Sequence, residues 1–183
     1  MIIMLNGSFG VGKSSVASEL KRIIPNSMIY NAEIIGTGLR YLTEGRRAPH
    51  EQTGDFQDIR LWPTLTVATA EHLFRLFRRT LIVPMTLANP AYLTTIRDGL
   101  TAISPPLYHF CLVASLDTIQ QHLQTRDEDI SWSWNKAQEY VPLFGDPQYS
   151  IHIDTEEVTI AQVADLVARY IADNPAGSNQ RVI

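Results

Sequence analysis

Eight consecutive residues near the start of the chain, Gly7-Ser8-Phe9-Gly10-Val11-Gly12-Lys13-Ser14, form a complete G-x-x-x-x-G-K-S pattern. Each residue type has a task in holding a polyphosphate. Phosphate oxygens must approach several backbone N–H groups at once, and glycines let the chain curl without Cβ clashes. The helix expected next offers free N–H groups and the positive end of its dipole. Lys13 brings a full charge to the β- and γ-phosphates, and the Ser14 hydroxyl is a hard oxygen ligand suited to Mg²⁺. The expected nucleotide-binding set is Gly7, Ser8, Phe9, Gly10, Val11, Gly12, Lys13, Ser14 and Ser15, with Ser14 as the metal ligand.

A phosphate loop fixes a ligand and leaves the reaction open. The chain has no N-K-x-D guanine motif, which points away from switch GTPases and toward ATP. The third strand candidate runs into Val83-Pro84-Met85-Thr86-Leu87 without the carboxylate that motor ATPases place there. Small-molecule kinases instead place a carboxylate after the second strand, and Glu33 stands at that place. It is expected to act as general base toward an acceptor hydroxyl, or to hold Mg²⁺ through water. The alternative is an acid that only favours a helix dipole. Further on, His122-Leu123-Gln124-Thr125-Arg126 resembles the R-L-x-x-R stretch that opens the lid of small P-loop kinases. Arg126 then clamps phosphates and His122 takes the adenine-stacking place, although a plain helix C-terminal charge is the other reading of Arg126. Lys13, Glu33 and Arg126 are the candidate catalytic residues.

The elements that must position these residues can be read from hydrophobic spacing. Strands are expected at 2–6, 27–31, 81–86, 107–114 and 150–153. Helices are expected at 13–24, 34–42, 90–100, 116–126, 133–141 and 160–172, with a long one over 56–80 interrupted or kinked near Pro63. Residues 43–54 are polar and broken by Gly45, Pro49 and Gly54. Alternation of this kind predicts an α/β P-loop NTPase fold: a five-stranded parallel sheet with helices on both faces and a short lid over about 126–142. One domain over 1–173 and a flexible tail over 174–183 complete the expected organisation.

Bulk properties narrow the function classes. A length of 183 residues suits one domain with a real core. A net charge of −4 argues against nucleic acid as the main partner. Cys111 is the only cysteine, which excludes an internal disulfide and suits a reducing cytoplasm. No signal peptide is expected, and no apolar run reaches the ~20 residues that span a bilayer. Peripheral membrane contact stays open.

The chain resembles the tunicamycin-resistance ATP-binding proteins, a branch of the P-loop kinase-like group. The residues that carry this are Asn6-Gly7 through Gly12-Lys13, Glu33 to Gly36 with Leu39-Arg40, Leu81-Ile82-Val83-Pro84-Met85-Thr86, and His152-Ile153-Asp154-Thr155. The loop and the second-strand carboxylate also resemble those of chloramphenicol, shikimate and gluconate kinases. The resemblance implies ATP binding and protection against a nucleoside antibiotic that carries sugars and an acyl chain.

The acceptor is expected over residues 40–80, where such folds insert substrate-binding helices. Arg40, Asp58 and Trp62 are the candidate substrate-binding residues. Tyr41, Phe56, Trp62, Phe74 and Phe77 either line a cavity or pack as helix core, and Asp55 and Asp58 either bind sugar hydroxyls or stay solvated loop charges. Trp132 and Trp134 flank the expected lid, where they either exclude water or pack. Three functions remain: phosphotransfer from ATP to a small hydroxylated molecule, ATP-dependent sequestration of an antibiotic without catalysis, and a nucleotide-loaded regulatory protein.

Overall fold

The computed structural model describes residues 1–125, 129–149 and 151–175. Arg126, and the expected tail beyond residue 175, lie outside them. Strand β1 (Ile2–Gly7) is buried along its whole length. It pairs in parallel with β3 (Thr80–Pro84) on one side and β4 (Leu107–Val113) on the other. β2 (Ser27–Ile29) adds to β3 and β5 (Ile151–Asp154) adds to β4, so the order is β2-β3-β1-β4-β5. A central parallel strand is covered on both faces, which is why its sequence is a continuous apolar run.

Strand pleating divides that run between two core layers. Ile2 and Met4 pack with Leu81, Val83, Leu93 and Ile96 under α3 (Leu61–Phe77) and α4 (Pro90–Ile103). Ile3 and Leu5 pack with Val16, Leu20, Val163 and Val167 under α1 (Lys13–Ile23) and α7 (Ile160–Asp173). Three shorter helices complete the described fold: α2 (Glu33–Leu42), α5 (Leu116–Gln124) and α6 (Ser131–Tyr140).

The expected break near Pro63 falls just before it, at Ile59 and Arg60. A 3-10 turn at Phe56–Asp58 precedes α3, and Pro63 falls in the first turn of that helix. A proline costs little there because first-turn N–H groups have no intrahelical partner. The helix stops at Arg78, which adopts a left-handed conformation with φ 50. β2 is shorter than expected, and α6 begins two residues earlier. No described helix is long and apolar enough to cross a membrane.

The order of strands also locates the crevice. The chain leaves β1 toward β2 and β3 on one side, then crosses to β4 and β5 on the other. Connections diverge at the C-terminal end of β1, and in open α/β sheets ligands bind at such a switch point.

Candidate functional site

The loop after β1 is shaped by residues that only glycine suits. Gly7 has φ 139, and a Cβ added there would lie 2.5 Å from the Leu112 carbonyl oxygen. Gly12 takes the left-handed N-cap of α1 at φ 98. No side chain caps α1 and its first turn holds no acid, so its leading N–H groups and dipole are left for an anion. Asn6, fully buried, ties the loop to the segment leaving β3. Its Oδ1 accepts from the N–H groups of Gly7 (2.9 Å) and Leu87 (2.8 Å), and its Nδ2 donates to the Leu87 carbonyl at 3.2 Å. Lys13 reaches back across the loop, donating from Nζ to the Ser8 carbonyl at 2.7 Å. The Ser8 hydroxyl is buried with no protein partner, as a group awaiting a phosphate oxygen would be. Ser14 and Ser15 stand exposed at the start of α1.

A cavity of about 390 Å³ opens beside the loop. Val11 and Val16 form one wall, His122 and Thr125 from the end of α5 a second, and Val158 and Ile160 from the β5–α7 connection a third. The His122 Nδ1–H donates to the Gly10 carbonyl at 3.0 Å. A carbonyl only accepts, so that bond places a proton on Nδ1. Apolar walls with a few hydroxyl groups and one imidazole suit a flat heterocycle. His122 therefore meets the phosphate loop.

The opposite side of the loop is built from scattered segments. Glu33 is the exposed first residue of α2, and its N–H donates to Asn31 Oδ1 at 3.0 Å. Trp62 does not line an acceptor cavity. It is 1% exposed, packs on Phe56 at 5.4 Å between ring centroids, and donates its indole N–H to the Ala32 carbonyl at 3.2 Å. Its position near the start of α3 turns the ring inward, where it braces the backbone just before Glu33. Tyr41, 76% exposed, faces outward. Arg40 donates to the Gly54 carbonyl. Asp58 accepts from the hydroxyls of Thr53 (2.5 Å) and Tyr92 (3.2 Å). Burial pushes the Asp55 carboxyl above its ordinary range, with Asp58 adding repulsion and Lys136 and Arg40 opposing.

Helix α6 joins these parts. Trp132, Lys136 and Tyr140 recur every fourth residue and share one face. Phe9 of the phosphate loop meets the edge of Trp132 at 4.9 Å and stacks on Tyr140 at 6.2 Å. The Lys136 ammonium lies 4.9 Å from the Tyr140 ring centroid, and the Trp132 indole nitrogen sits against Gly54. The phosphate loop, α6 and the segment before the Phe56–Asp58 turn thus meet at Phe9, Trp132 and Gly54. Tyr92, Lys136 and Tyr140, on the same side as Asp55, were not among the expected site residues. The fourfold spacing in α6 was the one signal for two of them.

No protein-family model matches the chain, and no curated protein matches it. Solved structures do. The tunicamycin resistance protein of Deinococcus radiodurans superimposes with a TM-score of 0.76 at 27% identity, covering 93% of this chain and 95% of that one. A gluconokinase of Sinorhizobium meliloti gives a TM-score of 0.65 at 19% identity, covering 94% of each chain. The shikimate kinase of Acinetobacter baumannii, in complex with shikimate, gives 0.65 at 16% identity, covering 96% of this chain and 95% of that one. The last two share the fold alone. With its complete phosphate loop at the switch point of a five-stranded parallel sheet, the chain has the fold of the P-loop small-molecule kinases and resembles the tunicamycin-resistance branch of that group.

Proposed function

We propose that this protein transfers the γ-phosphoryl group of ATP, accompanied by Mg²⁺, to a hydroxyl of a small molecule. The observation that carries the reading is the placement of the phosphate loop. The uncapped α1 N-terminus and Lys13 lie between a base-sized cavity on one side and a group of carboxylates and cations on the other. Phosphoryl transfer needs little covalent help from the protein. It needs positioning and stabilisation of charge on the phosphoryl oxygens. The α1 N–H groups and Lys13 supply that charge, and Arg126, just past α5 in sequence, is assigned to the same task. No group of three or more His, Cys, Asp or Glu among the described residues forms a metal cage. Mg²⁺ would then be held by Ser14 and the nucleotide phosphates, as this ion commonly is. Glu33 takes the acceptor proton or holds the ion through water, and Arg40 and Asp58 shape the acceptor side. The buried Cys111 thiol, pushed up to about 12 by burial, is inert and fits a cytoplasmic setting.

Similarity to a protein named for tunicamycin resistance supports an antibiotic of that type as the acceptor. The test is ADP release from MgATP against a panel of hydroxylated metabolites and antibiotics, tunicamycin included. Release that depends on one compound supports transfer. One observation favours a second reading, sequestration without chemistry: a histidine, His122, stands at the first expected lid arginine.

A further inference from the structure

The cavity beside the phosphate loop has two walls that are distant in sequence. His122 and Thr125 end α5, whereas Thr155, Val158 and Ile160 belong to the connection between β5 and α7. One side chain joins them. The Glu156 carboxylate accepts from the Ser115 N–H at 2.5 Å through one oxygen and from the Thr118 hydroxyl at 2.7 Å through the other. Ser115 is the N-cap of α5, so an acid from a different element sits at the positive end of that helix. These bonds, Thr118 first, hold the Glu156 carboxyl below the usual carboxylate range, and His122 contributes in the same direction.

The connection itself is held by further hydrogen bonds. Thr155 is held to the Val113 carbonyl by both its N–H (2.9 Å) and its hydroxyl (3.0 Å). Glu156 N–H donates to Asp154 Oδ1 at 2.9 Å, and Glu157 follows in left-handed backbone with φ 54. Val158 and Ile160 are thereby kept 37% and 45% exposed at the cavity. Exposed branched side chains are unfavourable in water and favourable against the face of a base.

We infer that Glu156 is a positioning residue for the nucleotide base: it clamps the β5–α7 connection to the start of α5 and so fixes the distance between the two cavity walls. The inference rests on the reading of the cavity as the base site. It assigns Glu156 no contact with phosphate, which separates it from a general structural role.

Calorimetric titration with MgATP and with magnesium tripolyphosphate tests it, because the second ligand has the phosphates and no base. Glu156→Ala is expected to weaken MgATP binding about tenfold while tripolyphosphate binding stays within about twofold. Glu156→Gln, which keeps an oxygen acceptor, is expected to recover most of the loss. Unchanged MgATP affinity in Glu156→Ala would overturn the inference, and so would an equal fall for both ligands. Wild-type protein that binds neither ligand would overturn the nucleotide reading itself, and the clamp with it.

Discussion

Gly7 and Gly12 carry the same one-letter code in the motif for different reasons, and substitution separates them. Gly7 combines φ 139 with a carbonyl oxygen 2.5 Å from any added Cβ, whereas Gly12, at φ 98, has open space around it. Gly7→Ala is predicted to lose about 3 kcal/mol of stability, the sum of strain and overlap with backbone. Gly12→Ala should lose about 1–2 kcal/mol, from backbone strain alone. Urea midpoints would order the two; equal losses would contradict the close packing at Gly7. His109 gives a second test at this scale. Burial holds its imidazole down at about 3 against an ordinary 6.5, and neither ring nitrogen has a protein partner. The unfolded chain takes up a proton as pH falls through 6.5, and the folded chain does not until near 3. Stability from this group is therefore whole above 6.5 and declines below it by about 1.4 kcal/mol per pH unit. The Glu51 carboxyl, held at about 2 chiefly by the Ala48 N–H, acts only in the lower window between 4.5 and 2. Between pH 6.5 and 5, His109→Leu should flatten the fall in urea midpoint. A slope equal to that of the wild type would remove His109 from the acid response.

At the scale of elements, α6 is the part that must respond to nucleotide. Its Trp132 touches Phe9 in the phosphate loop, while Trp62 is locked in the core by the Ala32 carbonyl. MgATP is predicted to change tryptophan fluorescence chiefly through Trp132, so Trp132→Phe should lose most of the change. A full signal in that variant would show that the loop and α6 move independently. This division also marks what was legible in the sequence. The phosphate loop was readable because its residues are contiguous and each is required by type. The strands were readable because a two-sided parallel sheet writes itself as short apolar runs. Trp62 was misplaced because α3 is apolar on most of its circumference, from Leu61 and Leu65 to Phe74 and Phe77, so its sequence does not say which aromatic ring points inward. Tyr92 and Lys136 were missed because separate elements bring them to Asp55, and no spacing rule joins them. Pro63 reads as a kink or as a first-turn residue depending on where the helix starts, and the boundary lies in an irregular turn.

For the molecule as a whole, the divergence of connections at β1 makes one crevice with two sides, and the account requires both sides to work in one turnover. The base-side cavity and the loop explain nucleotide binding. On the proposed reading, the second side, with Glu33, Arg40 and Asp58, is what separates a phosphotransferase from a nucleotide-dependent trap. Sequestration and catalysis predict the same ATP affinity, so binding measurements do not decide between them. Single-turnover transfer from γ-labelled ATP, with protein in excess and the antibiotic or another responsive compound as acceptor, does. The account predicts that label moves from ATP into the acceptor and that Lys13→Ala abolishes the transfer. It also predicts that Glu33→Gln slows transfer by about 10²–10⁴-fold with near-normal MgATP binding. Tight binding of both MgATP and the antibiotic by the wild-type protein, with all label remaining in ATP, would contradict it.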